Sequence, residues 1–138
     1  MRKLFFSREA IWSDAIALLR VWTGIIFIYH GKICFDPDGM AGFAPSLAEV
    51  GIPFPLVSAY LCKSTEFFGG ICLVIGFMKR LSAVFMIINM WVATFIYSHG
   101  LVMDNGRTTF ILLICSLTIL CSATDRLSVD WYLGRSIK

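Results

Sequence analysis

The stretch Leu61 to Gly76, "LCKSTEFFGGICLVIG", has the apolar texture of a membrane helix, yet it places Lys63 three positions before Glu66 and follows them with the adjacent glycines Gly69 and Gly70. A charged side chain near the middle of a bilayer costs about 2.5–3.5 kcal/mol on insertion scales, so these two charges require partners. Glycines on a membrane helix mark a close approach to a neighbour, because packing drives association where every surface is apolar. The segment is therefore read as a transmembrane helix that meets other helices along a face carrying both its charges and its glycines.

The rest of the chain agrees with that reading. It has 138 residues, of which 58% are hydrophobic and 15% charged. Soluble domains carry roughly 25% charge. Four apolar segments near the ~20 residues needed to span a bilayer account for most of the length: Ala15 to Ile33, Pro55 to Phe77, Leu81 to Ser98 and Thr108 to Ala123. This predicts an all-α integral membrane protein, an antiparallel bundle of four transmembrane helices forming a single domain over residues 1–138. Phe5, Phe6, Ile11 and Trp12 suit a retained interfacial segment before the first span.

Orientation follows from the basic residues. Arg2, Lys3, Arg8, Lys79, Arg80, Arg126, Arg135 and Lys138 fall on one side, against Lys32 and Arg107 on the other. Lysine and arginine accumulate on the cytoplasmic side of short loops, so both termini are expected in the cytoplasm. The outer loop from Cys34 to Phe54 is expected to hold a short interfacial helix, with Pro45 at its first position, a Ser46–Glu49 capping pattern and a stop at Gly51.

Residues three or four apart share a helix face. In the first span this collects Arg20, Thr23, Gly24, Phe27, His30 and Gly31, and in the second Cys62, Lys63, Glu66, Gly69, Gly70 and Gly76. The glycines Gly24, Gly31, Gly69, Gly70 and Gly76 are taken as helix-packing positions. At 1.5 Å per residue Glu66 sits ~16 Å below the outer boundary and Arg20 ~9 Å above the inner one. An intramembrane network of Arg20, Lys63, Glu66 and Asn89 is expected, with Arg20 pairing with Glu66, Lys63 competing for the same carboxylate or snorkelling outwards, and Asn89 adding a hydrogen bond.

His30 and His99 end the first and third spans at the outer boundary. Such a pair could ligate a haem iron, bind a quinone carbonyl, or be interfacial polar residues. The glycine-lined stripes leave little room for a macrocycle, so haem is not expected. A quinone needs a hydrogen-bond donor and an aromatic wall, which Phe27, Trp91 or Tyr97 can supply. The candidate quinone-binding residues are thus His30, Glu66, His99, Phe27 and Lys32. No catalytic residue, metal site, nucleotide-binding glycine loop or iron–sulfur cysteine pattern is apparent, and Cys34, Cys62, Cys72, Cys115 and Cys121 form no paired motif. The scattered basic residues argue against nucleic acid as a partner.

Four stretches in order resemble the DoxX family of small bacterial membrane proteins: "RVWTGIIFIYHG" (Arg20 to Gly31), "GIPFP" (Gly51 to Pro55), "EFFGGICLVIGFMKR" (Glu66 to Arg80) and "DRLSVD" (Asp125 to Asp130). The family's lysine usually lies a few residues beyond the His-Gly, whereas Lys32 follows Gly31 directly. Arg107 stands where a glutamate commonly begins the fourth helix, and Lys63 is outside the family pattern. The resemblance implies a membrane subunit of a quinone-linked oxidoreductase complex, anchoring a redox partner or interacting with quinone. The alternative is a non-catalytic scaffold or small-molecule carrier, or a homo-oligomer, whose internal charges only organise the bundle.

Overall fold

The structure, a computed structural model, describes residues 8–100, 106–122 and 128–130. All regular elements among them are helical. Helix α1 (Arg8–Gly31) leads through a 3₁₀ turn (Lys32–Phe35) into α2 (Pro37–Glu49), followed by α3 (Pro55–Ile75), α4 (Lys79–Trp91), a π-helical turn (Val92–Tyr97) that continues α4, and α5 (Arg107–Cys121). Two helical stretches, Trp12–Phe35 and Lys79–Tyr97, are long and apolar enough to cross a membrane, and α5 is a shorter apolar helix. The outward faces of these helices carry Trp22, Leu61, Phe68, Phe85, Ile88 and Ile111, all well exposed. Contiguous apolar surface on this scale is covered by lipid in a membrane protein.

The first helix begins earlier than expected. No glycine or proline separates Arg8 from Ala15, so Ile11 and Trp12, expected in a distinct interfacial segment, belong to α1, while Phe5 and Phe6 lie outside the described residues. The outer-loop helix is also differently bounded. Its N-cap is Asp36, whose carboxylate accepts from the Asp38 N–H at 3.2 Å, with Pro37 in the first turn. Pro45 lies inside the helix, and Ser46 donates to the Phe43 carbonyl instead of capping. Met40, Ala44 and Leu47 form the buried face of α2, packed with Ala59 of α3.

The contact between α1 and α3 sets the geometry. A methyl group at Gly24 would lie 2.8 Å from the Gly70 carbonyl oxygen, one at Gly70 would lie 2.8 Å from the Gly24 carbonyl oxygen, and one at Gly31 would lie 2.7 Å from Phe67 Cα. Here the two backbones touch. The pairs Gly24–Gly70 and Gly31–Phe67 run in opposite order along the two helices, so α1 and α3 are antiparallel. On the other side of α3, Gly69 makes room for the Met86 side chain of α4. Phe27, Leu73, Ala83, Met86, Leu112 and Ile119 form the central core.

The turn between α3 and α4 is held from a distance. Gly76 adopts the left-handed conformation (φ 75°) that stops α3, and Met78, also left-handed, precedes α4. The Asp130 carboxylate accepts from the N–H groups of Met78 (2.8 Å) and Lys79 (3.0 Å), and the Asp130 N–H donates to the Gly76 carbonyl at 3.1 Å. Asp130 therefore caps α4 although it lies 51 residues beyond Lys79.

Because Gly70 has no space for a side chain, Gly70→Leu is expected to force α1 and α3 apart and lower stability by about 1–3 kcal/mol. Gly42, with nothing within 4 Å of an added methyl group, serves as the control. Thermal melts in detergent should show a clear loss for Gly70→Leu and none for Gly42→Ala; equal melting temperatures would remove the backbone contact as a determinant of the fold.

Candidate functional site

Glu66 is buried on α3, 3% exposed, and its carboxylate is the centre of a polar cluster. Lys63, one turn earlier on the same helix, donates to Oε2 at 2.9 Å, and Asn89 of α4 donates from Nδ2 to Oε1 at 3.2 Å. Cys62 donates from Sγ to the Asn89 side-chain oxygen at 3.0 Å. The Lys63 ammonium also lies 4.8 Å from the centre of the Phe43 ring, which α2 supplies. This cation–π contact joins the outer-loop helix to the ion pair. A low-dielectric setting strengthens every one of these interactions.

Arg20 is not part of the cluster. Its guanidinium donates to the carbonyls of Leu73 and, at 2.9 Å, Val74, so it serves the C-terminal end of α3. The expected Arg20–Glu66 pair is corrected by the register of the two helices. With Gly24 against Gly70 and Gly31 against Phe67, Arg20 stands level with Gly76, ten residues or ~15 Å along α3 from Glu66. Arg20 is 1% exposed and so remains a buried cation, held by backbone carbonyls near the α3–α4 turn.

The cluster borders a cavity of about 450 Å³. Its wall includes Lys63, Glu66, Cys62 and Asn89 together with Phe27 and His30 of α1, Phe43 and Leu47 of α2, Tyr97 of the π-helical turn, and Thr108, Thr109 and Leu112 of α5. With Ile52, Phe85, Met90 and Val92 also in the wall, the lining as a whole is mostly apolar or aromatic, as in ligand pockets of this size. Of the residues expected at a quinone site, Phe27, His30 and Glu66 meet at this cavity. Lys32 does not line it and instead sits 4.1 Å from the Tyr29 ring centre. His99 does not line it either; it takes a left-handed backbone conformation (φ 51°) after the π-helical turn and is exposed. Trp91 is exposed and turned away from the cavity, whereas Tyr97 borders it.

Sequence reading missed three contributors. Phe43 and Leu47 come from α2, whose start at Asp36–Pro37 was legible as a capping signal that Pro45 obscured. Cys62 was placed on the right stripe but without a role. The π-helical turn, which has no sequence signature, directs Val92, Ala93 and Tyr97 toward the cavity and lets buried Thr94 donate to Thr109 of α5 at 2.9 Å. Such turns are frequent at functional sites.

An all-helical protein with lipid-facing apolar surfaces and an internal charged cluster defines a small membrane protein. Residues 15–99 match the DoxX family, and the chain belongs to it. It is 28% identical over 122 residues, 88% of either chain, to a Bacillus subtilis (strain 168) protein named "Putative oxidoreductase CatD". No solved structure matches the chain.

Lys63→Met is expected to lower thermal stability by removing the partner of a buried carboxylate, where losses reach about 3–5 kcal/mol. Adding Glu66→Gln should restore part of the loss. Arg20→Met combined with Glu66→Gln should instead be additive within about 0.5 kcal/mol. Coupling between Arg20 and Glu66 in such a cycle would contradict the register described above.

Proposed function

We propose that the protein is a multi-pass subunit of a quinone-linked oxidoreductase in a bacterial inner membrane, with α1, α3, α4 and α5 crossing the bilayer and both termini in the cytoplasm. The observation that carries this reading is the Lys63–Glu66–Asn89 cluster in the wall of a largely apolar, aromatic-sided cavity of about 450 Å³. The donor set fits a quinone. An ammonium has three N–H donors and Glu66 takes one, leaving Lys63 able to donate to a carbonyl oxygen. Phe27 and Phe43 offer flat apolar faces to a ring. A bound quinone supplies a carrier for two electrons and two protons; Glu66 can hold or release a proton beside it, and Lys63 stabilises negative charge on oxygen. The relative's name, which describes an oxidoreductase, supports redox work. The chain has no donor-side cofactor motif, so the electron donor is assigned to a partner protein.

A second reading has its own support. Among the described residues no buried side-chain polar atom lacks a hydrogen-bond partner, as in a network built only to fix helix register. A scaffold or carrier would have such a network without using it for chemistry.

Protein purified in mild detergent is expected to retain quinone or to bind an added short-chain benzoquinone, with Glu66→Gln weakening binding at least tenfold while the fold survives. Co-purification of an oxidoreductase partner is expected alongside. Neither quinone nor partner, in protein shown to be folded, would leave the scaffold reading in possession.

Orientation has a separate check. A membrane-impermeant thiol reagent applied to intact spheroplasts is expected to modify Cys34, between α1 and α2, and not Cys72 within α3. Modification from outside of a cysteine appended after Lys138 would reverse the topology.

A further inference from the structure

The cavity is not sealed by the helices that wall it. Leu61 of α3 and Phe85 and Ile88 of α4 line it, yet they are 64%, 52% and 57% exposed. A wall made of such side chains is an opening, and it faces the surface on which lipid lies. A groove of about 360 Å³ continues from it along the same α3–α4 seam and shares Thr65 and Phe85 with the cavity. Its floor and sides step down both helices toward their joining turn, through Phe68, Gly69 and Cys72 on one helix and Leu81 and Ser82 on the other, to Phe77 and Met78. From Thr65 to Ile75, where α3 ends, is 10 residues, or ~15 Å of helix, and Phe77 and Met78 of the turn close the far end.

The dimensions select the occupant. A volume of about 360 Å³ over ~15 Å leaves a cross-section of ~24 Å², too narrow to seat a helix ~10–12 Å in diameter and suited to a single hydrocarbon chain. The polarity agrees, since hydrogen-bonding groups are concentrated at Lys63, Glu66 and Asn89 and the groove is mostly hydrocarbon and aromatic ring.

We infer that the ligand of this site is a long-chain amphiphile that enters sideways from the bilayer, its carbonyl-bearing head passing between Leu61 and Phe85 to reach Lys63 and its hydrocarbon tail lying in the α3–α4 groove. This rests on the quinone reading of the head group and adds a second, separable subsite for the tail. Cys72 and Ser64 border the groove and lie outside the cavity wall, so a large side chain at either fills the tail subsite without touching the polar cluster.

The test compares two probes, a dimethoxy-methyl-benzoquinone without a tail and its decyl-tailed form, on wild type, Cys72→Trp and Ser64→Phe. Wild type should bind the tailed probe more tightly. Both variants should lose at least tenfold in affinity for the tailed probe and keep wild-type affinity for the tailless one, whose binding also shows that they are folded. A tail-end photoreactive analogue should label the segment from Phe68 to Leu81. Equal effects of the substitutions on both probes, no effect on either, or labelling confined to α1 or α5 would overturn the tail subsite and leave the quinone reading standing. Failure of folded wild-type protein to bind either probe would remove the quinone reading and this inference with it.

Discussion

Direct backbone contact between α1 and α3 is the constraint from which the other arrangements follow. It exists because Gly24 meets Gly70 and Gly31 meets Phe67 with no side chain between. In a bilayer the apolar faces of two helices gain little by leaving lipid for each other, so close packing must supply what the hydrophobic effect does not. That packing fixes the axial register of the pair. The register in turn puts Phe27 and His30 beside the cavity and carries Arg20 to the carbonyls at the end of α3, well away from Glu66.

With Arg20 committed elsewhere, the charge of Glu66 is met locally. Lys63 reaches it from one turn away on the same helix, and Asn89 reaches it from α4. An ion pair within one helix does not depend on how neighbouring helices are spaced, so α3 and α4 are free to stand apart over part of their length. Bulky rings at Phe85 and Phe68 border the gap, and small residues at Ser64 and Cys72 keep it open. The tight α1–α3 seam and the looser α3–α4 seam thus differ in kind: one fixes the register of the fold, the other leaves an apolar groove.

Much of this was readable from residue order. The long apolar stretches, the glycines between α1 and α3 and the membership of Lys63, Glu66 and Asn89 in one network all follow from helical periodicity and the penalty for solitary charge in lipid, whereas Gly76, read as a packing position, is the left-handed stop of α3. The Arg20–Glu66 pairing was not, because periodicity assigns residues to a face and says nothing about how far one helix slides along another. The roles of His99 and Lys32 were placed by depth alone, and the π-helical turn and the left-handed His99 backbone reorient that end of α4 in a way no residue pattern announces. Pro45 was a misleading start signal for α2 because Asp36 and Pro37 already provide a cap and a first turn upstream.

The carboxylate of Asp130, which closes the start of α4, also orders events during synthesis. A growing chain emerges from its N-terminal end, so Met78 and Lys79 leave the ribosome long before the residue that accepts their N–H groups. Until then the amide donors of Met78 and Lys79 lack the carboxylate that caps them in the folded chain. The cap of α4 thus comes from a residue beyond α5, so the turn between α3 and α4 can be closed only after translation has passed the end of that last helix.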